Sequence, residues 1–410
     1  MAGKPAYATD APPHAKFPPR RIIRQYRMIS SLIGNSDAFP ILKQWDFFNH
    51  AGVCPLPRVA ADALRKYAQQ AQEVAYIETG WYRDIEKLRA LAAKLINADS
   101  EEIAFIKNTS EGLATVANGV DWRVGDRIVT TAVEYPANIY PWMDVAARYG
   151  VELVMVDEKD VNGRRMVPMD ELLRQIQHPR TRLMALSHVE FASGQRHDIA
   201  TIGKVCREQG KLFCVDAIQS LGVLPVDVQA MNIDYLSADG HKWLLGPEGA
   251  GIFYCRRELL PQTRPLIVGW MNVINQDEYG SYDFTFKSDA RKFECGSYTV
   301  ATLLSLKAAV ELLMETGIEA IADRTKLLTN RLIAGLEFKG YEIVSLRENE
   351  QWSGIVSFTS SRHDHAEIVR MLRNKHQIEI ALREGRLRCS PHFYNTEEQI
   401  ARIISRLPPH

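Results

Sequence analysis

The chain has 410 residues, 46% hydrophobic and 24% charged, which is enough apolar material for a substantial core and excludes a disordered or fibrous protein. Fifty Lys and Arg balance fifty Asp and Glu, so no net field draws the protein to nucleic acid or to an anionic membrane, and a small neutral or zwitterionic partner fits better. No apolar run approaches the roughly 18 residues of a membrane-spanning helix, and the N-terminus lacks the apolar stretch of a secretory signal, so a soluble, cytoplasmic protein is expected.

Residues 1–45 read as an N-terminal arm, rich in proline and basic at its start, where Lys4, Lys16, Arg20, Arg21, Arg24 and Arg27 face one acid, Asp10. The arm reads as a solvated or packing segment rather than a nucleic-acid arm. Helical spacing follows over Pro57–Ile77 and Arg83–Ile96. Strand-length apolar runs then come at Ile103–Ile106, Arg127–Thr131, Val151–Val156, Arg182–Ser187, Leu212–Val215, Tyr235–Ser237 and Gly251–Cys255. Helix-length segments lie between most of them, at Gly112–Val120, Ile139–Tyr149, Asp170–Gln177 and Ile199–Gln209. Alternation of helices with strands that are apolar throughout predicts an α/β fold with a mostly parallel sheet covered on both faces. Beyond 296 the order changes. Helical patterns at Ala301–Glu315 and Ile318–Phe338 precede strands at Tyr341–Val344 and Gly354–Phe358, a helix at Ala366–Arg373, a strand near Ile378–Ala381 and a closing helix from Glu397. The expected division is a large domain over 46–295 and a smaller α+β domain over 296–410, with a cleft between them suited to a small ligand.

Open parallel sheets bind ligands at the carboxyl ends of their strands, so polar residues just after strand runs are the candidates. Asn108-Thr109-Ser110-Glu111-Gly112 follows the first strand and opens a helix, a setting that offers hydroxyls and free N–H groups to an anion. Asp216 ends a buried strand and needs a cationic partner there; Gln219 follows. His241-Lys242 comes after another buried strand, and a lysine so placed is a candidate for a depressed pKa and Schiff-base chemistry. The glycine-rich stretch Gly246–Gly251 has the wrong order for a dinucleotide loop and precedes a strand rather than a helix. His363-Asp364-His365 sits in a polar turn with no third ligand in view, so no metal is expected. The six cysteines show no CxxC pair and read as reduced, mostly buried small hydrophobes.

The segment FCVDAIQSLGVLPVDVQAMNIDYLSADGHKWLLGPEGAG resembles the cofactor-lysine region of the class V aminotransferase and cysteine desulfurase-like pyridoxal-phosphate enzymes, which have the aspartate-aminotransferase fold. Asp216, Gln219 and His241-Lys242 match that family's signature spacing. NHAG at Asn49–Gly52, TSEG at Thr109–Gly112, EYPANIYPW at Glu134–Trp142, KFECGSYT at Lys292–Thr299 and LRCSPHFYNTEE at Leu387–Glu398 match in the family's order. The resemblance implies pyridoxal 5'-phosphate on Lys242, which then serves as the acid and base at Cα. It implies Asp216 on the pyridine nitrogen, Gln219 on the ring's phenolic oxygen, and Thr109, Ser110 and His241 on the phosphate. Tyr135 would stack on the ring, and Arg388 would grip the substrate carboxylate. Gly296 and Ser297 would reach the phosphate of a neighbouring subunit, hence a homodimer with shared active sites.

The pattern departs from desulfurases. Tyr135 stands where they have histidine, and the short run before Arg388 carries no nucleophilic cysteine. Asp239 falls where relatives have a small hydroxyl residue, and Phe191 where they have asparagine. The SHVEF stretch with Glu190 is more similar to the isopenicillin-N-epimerase-like and lyase-like members. The expected activity is therefore a pyridoxal-phosphate enzyme acting at Cα or Cβ of an amino-acid-like substrate, as an epimerase or a C–S or β-lyase. An aminotransferase, a desulfurase and a non-catalytic binding module are the alternatives.

Overall fold

Seven strands form the central sheet: β1 (Ile103–Ile106), β2 (Arg127–Thr131), β3 (Glu152–Val156), β4 (Thr181–Ser187), β5 (Leu212–Asp216), β6 (Tyr235–Asp239) and β7 (Gly251–Cys255). Their order is β1-β7-β6-β5-β4-β2-β3. All neighbours are parallel except those of β7, which runs antiparallel to β1 and β6. The computed structural model describes residues 28–161, 164–348 and 350–409. Strands apolar at every position are buried on both faces, and alternate side chains feed two cores. Ile103 and Phe105 join one cluster with Met184 and Leu186; Ala104 and Ile106 join the other with Leu183 and Ala185. β3, at the sheet edge, is half exposed.

Helices α1 (Arg58–Glu73), α2 (Trp81–Ile96), α3 (Thr109–Gly119), α4 (Tyr140–Tyr149), α5 (Met169–Ile176) and α6 (Ile199–Glu208) lie where helical spacing places them. α3 begins earlier than its apolar pattern, because the Asn108 side chain accepts the Glu111 N–H and starts the helix at Thr109. β6 runs two residues further than its apolar run, ending at Asp239. Of the N-terminal arm, residues 1–27 lie outside the described residues; Ile29, Leu32 and Phe39 are buried in the main core.

Helix α7 (Val300–Thr316) packs Leu303, Leu306 and Val310 into that same core with Ile85 and Leu88. After α8 (Ile318–Phe338) comes a four-stranded antiparallel sheet of β8 (Glu342–Ile343), β9 (Val356–Thr359), β10 (Ala381–Arg383) and β11 (Arg386–Cys389), in the order β8-β9-β11-β10. Helices α9 (His365–His376) and α10 (Glu397–Arg406) supply Leu372, Ile400 and Ile403 to a separate core with Leu328, Leu332 and Leu387. The strand expected near Ile378–Ala381 is split: Ile378–Glu379 pairs with Asp46–Phe47 instead, and Phe48 sits in the C-terminal core. Glu384 and Gly385, both at positive φ, turn β10 into β11, as a two-residue hairpin with a right-handed twist requires.

Candidate active site

The carboxyl ends of β1, β2, β4, β5 and β6 open on one cavity of about 610 Å³ lined by Thr109, Ser110, Tyr135, Phe191, Asp216, Gln219, His241, Lys242 and Arg388. Every site residue predicted from the sequence is in this lining except Ser297. Ser297 is exposed and lies by a separate shallow pocket with Glu294 and Tyr298.

Asp216 is 2% exposed. One carboxylate oxygen accepts the Ile218 N–H at 2.9 Å. Burial raises its pKa to about 6, against the pull of that N–H and of Lys242. Lys242 is buried as well, and burial lowers its pKa to about 8 while Asp216 works in the opposite direction. Its Nζ stands 5.6 Å from the Tyr135 ring centroid. A lysine held this way has a much larger neutral, nucleophilic fraction near neutral pH than an ordinary lysine, as a carbonyl-trapping amine needs. Gln219 is fixed from both sides: its amide nitrogen donates to Ala51 O, and its oxygen accepts the indole N–H of Trp243, each at 3.0 Å. One amide hydrogen remains to donate into the cavity.

At the first turn of α3, Thr109 Oγ1 accepts the Asp239 N–H at 3.0 Å, and Ser237 Oγ donates to Thr109 O. These contacts lock the helix start onto β6. The Thr109 hydroxyl proton, the Ser110 side chain and the orphan N–H groups of the turn are left for an anion. Asp239 lines the same cavity, and its carboxylate is engaged by its neighbours. It accepts the Gly240 N–H at 2.6 Å and lies 2.9 Å from His241 Nδ1, off the angle of a hydrogen bond.

Arg388 is 1% exposed. It donates to Phe191 O at 2.7 Å and to Asn49 Oδ1 at 3.3 Å, and its Nε has no partner among the described residues. Burial lowers its pKa, a cost that an incoming carboxylate removes. Tyr135 meets Phe191 edge to face at 5.2 Å between centroids. Sequence reasoning did not assign Trp243, Asn49 or Glu248, although Trp243 adjoins the lysine and Asn49 lies in the NHAG match. Arg383 also lines the cavity. The donor set fits a planar group with an anion at one end, a protonated ring nitrogen at the other and a carbonyl carbon within reach of Lys242.

The chain is similar over most of its length to known proteins. A probable cysteine desulfurase from Methanothermobacter thermautotrophicus is 31% identical over 388 residues, covering 88% of this chain and 93% of that protein. The apo cysteine desulfurase of Thermococcus onnurineus superposes with a TM-score of 0.82 at 25% identity, over 90% of this chain and 95% of that one. The cystine C–S lyase C-DES, in complex with its product cysteine persulfide, gives 0.81 at 28% identity, over 90% and 98%. Among the described residues, no helix is long and apolar enough to cross a membrane. Residues 47–403 match the aminotransferase class-V family, and the chain belongs to it as an enzyme of that family.

Proposed function

We propose that the protein is a pyridoxal-phosphate-dependent C–S lyase that releases sulfur from a cysteine-type amino acid without passing it to a cysteine of its own. The observation that carries this reading is the cavity lining, which holds no cysteine. Cys389 follows Arg388 in β11, so strand alternation turns it to the opposite face, where it is fully buried in the C-terminal core. Burial also raises the Cys54 and Cys389 thiols, away from the thiolate a sulfur acceptor needs. The similarity to a cystine C–S lyase supports the same reading.

The cofactor is pyridoxal 5'-phosphate, which supplies an electron sink for the charge left at Cα once its proton departs. Lys242 would hold the cofactor through its carbonyl carbon and is placed to accept the Cα proton. Asp216 would pair with the ring nitrogen, and Gln219 would donate to the ring oxygen. Thr109, Ser110 and His241 would hold the phosphate, and Tyr135 would pack against the ring. Arg388, oriented by Phe191 O and Asn49, binds the substrate carboxylate in a fork and fixes the Cα–H bond toward Lys242. Overall, a thioether RS–CH2–CH(NH3+)COO− and one water give RSH, pyruvate and ammonium.

The protein acts as a homodimer, with Ser297 serving the partner's phosphate. In support, Trp270 packs beside Gly296, and Ile267, Val268, Trp270, Tyr282 and Phe284 along the same stretch of chain are exposed, apolar surface of the kind a subunit covers.

Product analysis on L-cystine and S-alkyl-L-cysteines tests the reaction. Pyruvate and ammonium in step with free thiol or persulfide, with Cys389→Ser within a few-fold of wild type, is expected. Alanine with a protein-bound persulfide points to a desulfurase, D-isomer to an epimerase, and an intact-chain keto acid to an aminotransferase; each contradicts the proposal.

A further inference from the structure

Behind the Tyr135–Phe191 wall lies a second cavity of about 380 Å³ that shares Phe191 with the first. Its floor is two buried glutamates. Glu190 is 1% exposed; one oxygen meets Thr131 Oγ1 at 3.1 Å and His197 Nε2 at 3.0 Å, and the other, Oε2, is buried with no partner among the described residues. Glu134 takes the Ser187 N–H and hydroxyl. Burial raises both acids, and their proximity raises Glu134 further. Glu158, with 6% of its side chain exposed, stands at the side between Arg165 and Arg386, 3.5 and 3.7 Å away, and Glu384 lies at the rim.

Four carboxyl groups thus face this space against two arginines already committed to one of them. A buried carboxyl oxygen without a donor is costly, and none of the roles assigned to the first cavity uses it. An ammonium group supplies both the hydrogen-bond donor that Glu190 Oε2 lacks and a charge opposite to the carboxylates. Strand β11 ties the two spaces together. Arg386 and Arg388 are two residues apart and so share one strand face, roughly 7 Å from each other; Arg388 lines the first cavity and Arg386 the second.

We infer that the second cavity is a subsite for a distal ammonium group on the substrate, with Glu190 Oε2 as its principal acceptor. The inference rests on the lyase reading, and it names the substrate class as amino acids whose sulfur carries a short chain ending in an ammonium. Such a substrate lays its carboxylate on Arg388 and its far end past Phe191. The cation satisfies Glu190 Oε2 and draws Glu190 into its ionised form.

The test compares S-(2-aminoethyl)-L-cysteine with its neutral counterpart of equal length, S-propyl-L-cysteine, on the holoenzyme. Dissociation constants come from the change in cofactor absorption and turnover from pyruvate release. The aminoethyl compound is expected to bind at least ten-fold more tightly, and Glu190→Gln to reduce that preference to three-fold or less. Glu158→Gln, at the side of the cavity, is a second variant should Glu190→Gln fail to fold, and it should also narrow the preference. Equal binding of the two compounds by wild type, or a preference untouched in a folded Glu190→Gln protein, overturns the subsite. Preferential binding without pyruvate supports the subsite and counts against the lyase reaction alone; pyruvate from both without preference does the reverse.

Discussion

Lys242 and Asp216 sit in one buried space, and burial opposes the ionisation of each. The folded lysine at about 8 lies below its ordinary 10.5, so between those values the unfolded chain keeps a proton that the folded chain has given up. Stability of the cofactor-free protein therefore rises with pH across that window, and below it the burial cost is present in full, roughly 3 kcal/mol. Asp216, raised from 3.8 to about 6, acts with the opposite slope at lower pH: the folded state holds the extra proton, and stability falls as pH rises through that range. Lys242→Met in the cofactor-free protein is expected to gain about 1–3 kcal/mol at pH 7, part being lost because Asp216 forfeits its neighbour. The gain should shrink toward pH 10.5. Denaturant midpoints at both pH values measure it, and a pH-independent difference would falsify the burial argument. Trp243 is a second case. Trp243→Phe leaves Gln219 Oε1 buried without its 3.0 Å donor, so a loss of about 1–3 kcal/mol is expected on denaturation. The cofactor's absorption should shift as well, because the amide is then free to turn. Lys242, Asp216 and Gln219 were legible in the sequence because each follows a buried strand at a family spacing. Trp243 on Gln219, Asn49 on Arg388 and Asp239 beside His241 were not, because the first two contacts join distant segments and the third depends on which way a side chain turns at a strand end.

The phosphate end of the site depends on how closely α3 approaches β6. A Cβ on Gly112 would stand 2.3 Å from Ser237 Oγ and 2.9 Å from Ser237 Cβ, so the small residue is what lets the first turn reach the Thr109–Asp239 contact. Gly112→Ala should therefore push the helix off the strand, costing about 1–3 kcal/mol as overpacking does and weakening cofactor affinity. Gly112→Ala with Ser237→Gly removes both close atoms but also the Ser237 hydroxyl's bond to Thr109 O, so it should recover only part of the packing loss. Equilibrium dialysis of the cofactor against the two variants decides it, and equal affinity in wild type and Gly112→Ala would refute the close-approach account. The Asn108 cap belongs to the same element: Asn108→Ala should cost about 1 kcal/mol, read from the thermal midpoint.

Across the whole molecule, the strand and helix order from 103 to 255 was readable because strands buried on both faces are apolar at every position, and the turns between them are polar. The short charged hairpin of Lys159–Val161 and Arg164–Met166 carries no such signal, and the pairing of Asp46–Phe47 with Ile378–Glu379 joins segments too far apart for local pattern to reveal. In the proposed dimer, a second subunit covers the exposed apolar segment around Trp270, Tyr282 and Phe284. Replacing Tyr282 and Phe284 together by Asp should convert a sedimenting dimer into a folded monomer with little activity. A wild-type protein that sediments as a fully active monomer would end the shared-site reading.

The site as a whole stands on the identity of the lysine that carries the cofactor, and borohydride reduction of the purified holoenzyme followed by peptide mass mapping tests it directly. The account predicts one pyridoxyl label per chain, on the peptide containing Lys242, and none in Lys242→Ala. A label on another lysine, or no fixable cofactor at all, would contradict it.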